Sequence, residues 1–134
     1  MKYIQTIENL YHKANERYEK SENKYPIAGS KEGFARINGR INYGWGHTSE
    51  LQEKYSITIY MVEGKKRVML SHWGTVTLVI DTESTEVLEF YGESNSDRDS
   101  MNTMLELLYV PGTFRYFPST GDFVYQNGDI EATA

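Results

Sequence analysis

Three histidines, His12, His47 and His72, are the side chains in this sequence best suited to moving protons near neutral pH. Two stand close to hydroxyls, in His47-Thr48-Ser49 and His72-Trp73-Gly74-Thr75. Paired His and Thr/Ser side chains suit nucleotide or phosphoester chemistry, but the second pair has the wrong spacing for it. Two histidines with a carboxylate such as Glu50 could ligate zinc, yet no spacing in the chain specifies such a site. Asp97-Arg98-Asp99 supplies too few oxygens in register for a calcium loop, and helix capping accounts for it. Gly29-Ser30-Lys31-Glu32-Gly33 lacks the Gly-x-x-x-x-Gly-Lys-Ser/Thr spacing of a phosphate loop, and no strand precedes it. There is no Cys, hence no disulfide framework and no thiolate nucleophile or ligand. The reading is a protein without catalytic residues, metal or cofactor, suited to a reducing cytoplasm.

Binding chemistry is better represented than catalysis. Gly44-Trp45-Gly46-His47 reads as a loop that displays an aromatic side chain, and the flanking glycines let Trp45 be presented without strain. A bulge that tucks Trp45 into the core is the other reading. Glu83, Glu86, Glu89 and Glu93 belong to a hairpin and its exit; they guard a sheet edge or imitate phosphates toward a basic partner. Tyr43, Trp45, Glu83, Glu86, Glu89 and Glu93 are therefore the candidate partner-binding residues. Lys31, Arg36 and Arg40 interleave with Phe34, Tyr43 and Trp45, the mixture of cations and stacking platforms used on single-stranded nucleic acid. Lys31, Arg36, Arg40 and Trp45 carry that alternative, although no named nucleic-acid motif is present and the aromatics could simply pair across a hairpin.

Charge and size narrow the choice. Residues 1–48 hold eight Lys or Arg against five acids and residues 49–134 hold six against fourteen, so a net +3 half precedes a net −8 half. The total of −5 argues against coating a nucleic acid or an anionic membrane and leaves room only for a local basic patch. A length of 134 residues suits one domain. With 39% hydrophobic residues the chain can fold on its own core, without staples. No apolar run approaches the roughly 20 residues of a membrane span, and the first residues carry no apolar stretch of signal-peptide length, so a soluble cytoplasmic protein is expected.

The elements that must position these residues follow from periodicity. Ile4, Ile7, Tyr11, Ala14 and Tyr18 recur at steps of three and four and predict a helix over about 3–20, with Glu16 and Lys20 paired on its outside. The stripe covers a sheet or forms the seam of a dimer. Phe34 to Ile37 and Arg40 to Tyr43 flank Asn38-Gly39, the strongest short hairpin signal, which would set Phe34 opposite Tyr43. Strands are expected at 55–62, 67–70, 75–81 and 87–91, with a bulge or bend at Gly74. Ser96 and Asp99 have capping-box spacing ahead of a helix near 97–109 whose inner face is Met101, Met104, Leu105 and Leu108, and whose outer face includes Asn102. Phe114 to Phe117 and Phe123 to Gln126 form a last hairpin, and the tail beyond Gly128 frays. The fold class is α+β: a single domain over 1–134, an antiparallel sheet of hairpins with an N-terminal and a second helix, the sheet and second helix spanning about 33–126.

The stretch Leu70-Ser71-His72-Trp73-Gly74-Thr75, the hairpin after it and Tyr91 to Asn102 resemble a pattern in small uncharacterised proteins carried by phages and plasmids of Gram-positive bacteria, over about a quarter of the chain. In that pattern the Gly-Thr strand and the Ser-rich helix start are structural, and no catalytic role transfers. The resemblance implies an accessory product of a mobile element, a group that includes anti-CRISPR inhibitors of host defence. The expected function is a non-enzymatic interaction protein that binds and blocks a host protein, such as a nucleic-acid-handling defence effector. An aromatic content of 13%, with 11 Tyr, suits that role.

Overall fold

The computed structural model describes the backbone of residues 2–24, 31–41 and 50–134, and side chains within 5–21, 31–39 and 51–134. Helix α1 spans Lys2–Lys24, and its buried stripe is Ile7, Leu10, Ala14 and Tyr18, at steps of three and four. Leu10 takes the deep position expected for Tyr11, which is half-buried. Lys20 donates to Glu16 at 2.7 Å across the exposed face.

Five strands form an antiparallel meander in the order β1-β2-β3-β4-β5: β1 Glu32–Ile41, β2 Glu50–Val62, β3 Lys65–His72, β4 Thr75–Asp81 and β5 Glu86–Phe90. The hairpin expected at Asn38-Gly39 does not form. β1 runs through both residues, which pair with Glu53 and Gln52 of β2, and Phe34 lies opposite Thr58 rather than Tyr43. Gly39 answers a packing demand: a Cβ there would lie 3.0 Å from Lys54 Cδ and 3.1 Å from the Trp73 ring. A register shift after Ile37 leaves Lys54 as the extra residue of a bulge. Long-range pairing over ten residues outweighs a two-residue turn preference.

The tight turns sit elsewhere. Glu63-Gly64 and Trp73-Gly74 both have positive φ, 50° and 78° then 50° and 82°, and each joins neighbouring strands as a two-residue primed turn. Gly74 is thus a turn residue, and the neighbouring bulge falls at Thr77, between Leu70 and Ser71 of the facing strand. A third bulge leaves Leu88 unpaired in β5, an edge strand of the sheet.

Alternation puts Ala35, Ile57, Ile59, Val68, Leu70, Leu78 and Ile80 on one face of the sheet, buried with α1 and with α2, Asn95–Leu107. The cap of α2 is Ser94, two residues earlier than expected: its Oγ accepts from Asp97 N–H at 3.1 Å, and Asp97 Oδ2 accepts from Glu93 N–H at 3.0 Å. Asn102, expected to face outward, instead bridges to Phe114, donating to its carbonyl O at 3.1 Å and accepting from its N–H at 2.7 Å.

A second antiparallel sheet follows: β6 Thr113–Phe117, β7 Asp122–Asn127 and β8 Ile130–Thr133. The tail after Gly128 therefore does not fray; it continues as β8 because Asn127, Gln126, Tyr125 and Val124 offer it an open ladder. Phe114, Phe123, Tyr116 and Tyr125 pack with Phe90 as an aromatic cluster that joins the two sheets. The result is a small α+β domain of antiparallel sheets and two helices.

Candidate functional site

His72 ends the inward-facing row Val68, Leu70, His72 of β3, so the alternation that fills the core also carries an imidazole to the end of the sheet. Its ring stacks on Tyr55 across the β2–β3 ladder, centroids 4.3 Å apart and planes within 5°. The first turn of α2 brings Asp97 to it, with Nδ1 to Oδ1 at 2.7 Å and only 8% and 7% of the two side chains exposed. Burial pushes the Asp97 carboxyl up, but hydrogen bonds from His72, from the Glu93 N–H and from Ser94 outweigh it and hold the group below its ordinary value. An ionised Asp97 can only accept, so Nδ1 carries a proton and donates to it. Nε2 has no hydrogen-bond partner among the described residues.

This imidazole lines a cleft of about 380 Å³ together with Trp73, Thr75, Thr77, Tyr91, Glu93, Ser94, Ser96 and Asp97. The turn at Trp73-Gly74 supplies one wall. The segment between β5 and α2 supplies the other, where Tyr91 Oη donates to Glu93 Oε2 at 3.1 Å. Gly92 sets that segment's position, since a Cβ there would run into the Phe123 ring. Thr77 and Tyr91 are shared with a second groove of about 420 Å³, along the β5 edge, which Val76, Leu88, Glu89 and Thr133 also line. The two depressions form one continuous surface. Its large apolar groups are half-open to solvent: Trp73 38%, Val76 40%, Leu88 40% and Tyr91 45% exposed.

The residues singled out in the sequence are distributed around this surface unevenly. Glu83 lies in the β4–β5 turn, where its N–H, like that of Ser84, donates to Asp81 Oδ1. Glu86 and Glu89 are exposed on the edge strand, and Glu93 stands at the cleft; the four acids follow the edge without forming one cluster. Tyr43, Trp45 and His47 lie outside the described residues, and of Arg40 only the backbone is described. Lys31 packs against α1, 3.6 Å from Glu19 and over the Tyr18 ring, while Arg36 is directed to Glu53 of β2 at 4.0 Å. Of the basic–aromatic group, only Lys31, Phe34 and Arg36 have described side chains.

The union of His72 with Asp97 escaped the sequence reading. Its signal was the parity of His72 with Val68 and Leu70 and the surplus of acids at the start of α2, where capping sufficed as an explanation for Asp97. Among the described residues no group of three or more His, Asp or Glu side chains could hold a metal ion. No helix of the described residues is long and apolar enough to cross a membrane. No protein-family model, curated protein or solved structure matches the chain.

Proposed function

We propose that this protein is a non-enzymatic binding protein that acts by occupying a partner protein's surface, and that β5 with the adjoining cleft is its contact. The observation that carries this reading is the continuity of an open strand edge with half-exposed Trp73, Val76, Leu88 and Tyr91. An edge strand offers unpaired main-chain groups, so an extended segment of the partner adds to it as a further strand, with alternate side chains seated in the grooves. Glu86 and Glu89 on the same strand select a basic segment. The resemblance of segments 70–75 and 91–102 to phage and plasmid proteins supplies the partner class: a host protein of the bacterial cytoplasm, a nucleic-acid-handling defence effector of CRISPR type, blocked by stoichiometric occupation.

The test is retention from bacterial lysate on tagged wild-type protein and on Glu86→Lys/Glu89→Lys and Leu88→Asp, with and without nuclease. A stoichiometric protein retained by the wild type through nuclease treatment and lost from both variants is the expected result. Retention of nucleic acid, or of proteins that leave with it, would transfer the function to the basic residues of β1 and the segment after it.

A further inference from the structure

We propose that the cleft between Trp73 and Tyr91 is a recognition site for the cationic head of a basic side chain, an ammonium or guanidinium. Its volume of about 380 Å³ falls at the small end of ligand sites, which run from roughly 300 to 1,000 Å³. Several of the polar groups it presents can accept a hydrogen bond. Nε2 of His72 has no hydrogen-bond partner among the described residues, and Thr77 Oγ1 has committed its proton to Leu70 O at 3.3 Å. Ser94 Oγ keeps accepting capacity beside the Asp97 N–H bond it already receives. Glu93 carries an exposed carboxylate in no ion pair among the described residues, and Trp73 and Tyr91 add π faces of the kind that attract cations.

Charge decides between a cation and an anion. The N-terminus of α2 contributes the equivalent of about half a positive charge. Against it stand the two carboxylates of Glu93 and Asp97, and among the described residues no Lys or Arg lines the cleft. A phosphate would enter a negative field; a guanidinium enters a complementary one and finds donors' partners already oriented.

Only the source of the cation, a side chain of the segment that adds to β5, rests on the function proposed above; the site itself does not. The test titrates N-acetyl-arginine amide, N-acetyl-lysine amide and inorganic phosphate into the isotope-labelled full chain, following the Trp73 indole and the His72 ring by NMR. The expected result is saturable shifts with at least one of the amides and none with phosphate. Affinity should fall about fivefold or more in Trp73→Asn, which suits the left-handed turn, and in the exposed Glu93→Gln. No saturable shift with either amide, a response to phosphate instead, or variants that bind as the wild type would overturn the site. If the amides bind but Trp73→Asn retains the partner as well as the wild type does, the site stands and its assignment to the partner segment is overturned.

Discussion

The two helices meet the five-stranded sheet in opposite ways. α1 lies on β1 and β2 through Ile7, Leu10, Ala14 and Tyr18, and Gly33 brings the backbones so close that a Cβ would collide with Ala14 O and Tyr18 N. That contact is close-packed. α2 meets β3 and β4 at its N-terminus through a buried ion-pair geometry, His72 to Asp97, and Ser100 and Thr103 are buried nearby on its first turns. Replacing such a buried pair by apolar groups is often neutral or stabilising, so its presence is weak evidence for stability. On the function proposed above, the α1 contact serves stability and the α2 end, beside the edge strand β5, serves recognition.

Substitutions at the two contacts should separate these roles. Gly33→Val should have the largest effect, more than about 3 kcal/mol in urea unfolding, because the helix backbone itself must move. Asp97→Ala should cost about 2–3 kcal/mol by the same measurement, as it strands a buried imidazole and the Glu93 N–H together. A loss as small as that of an ordinary surface change would mean the pair does not tie α2 to the sheet.

The acid limb of stability offers a second separation. Asp97 is held below its ordinary value, so its contribution is complete above the unfolded carboxyl value of about 3.9 and is lost as pH falls through the lower folded value. Asp81 acts in the same window, held down first by the Ser84 N–H and then by the Glu83 N–H against the opposing effect of burial. The wild type should therefore lose stability steeply below about pH 4, and Asp97→Ala less steeply, in urea midpoints measured across pH. Equal acid slopes would contradict an ionised Asp97 in the fold.

Trp73→Asn should move stability the other way, raising it by up to about 1 kcal/mol because asparagine tolerates the left-handed turn. The smallest expected effect is that of Glu86→Lys/Glu89→Lys, within about 0.5 kcal/mol of the wild type, since both side chains are exposed. A large loss there would place these acids in the fold rather than in recognition.

What the sequence made legible was local. The 3.6-residue stripe of α1, the period-two run of β2 and the apolar face of α2 each appear in the structure, because burial on one face leaves a repeat in the sequence. Asn38-Gly39 misled because its turn preference competes with a long ladder to β2, whose partner residues lie 13 to 15 positions away. Trp73-Gly74 was the converse, a primed turn hidden by a first residue that turn statistics disfavour. His72 and Asp97 are 25 residues apart, and no periodicity links a strand end to a helix cap. β8 was missed for a related reason: its four residues are all exposed, so neither alternation nor hydrophobicity marks them.

The most direct test of the division between a structural contact and a recognition edge is paired. Unfolding midpoints and nuclease-resistant partner retention would be measured on the wild type and on Glu86→Lys/Glu89→Lys. The account predicts coincident midpoints with a stoichiometric partner on the wild type alone. A variant that retains as much as the wild type, or a wild type that retains no stoichiometric protein, would contradict it.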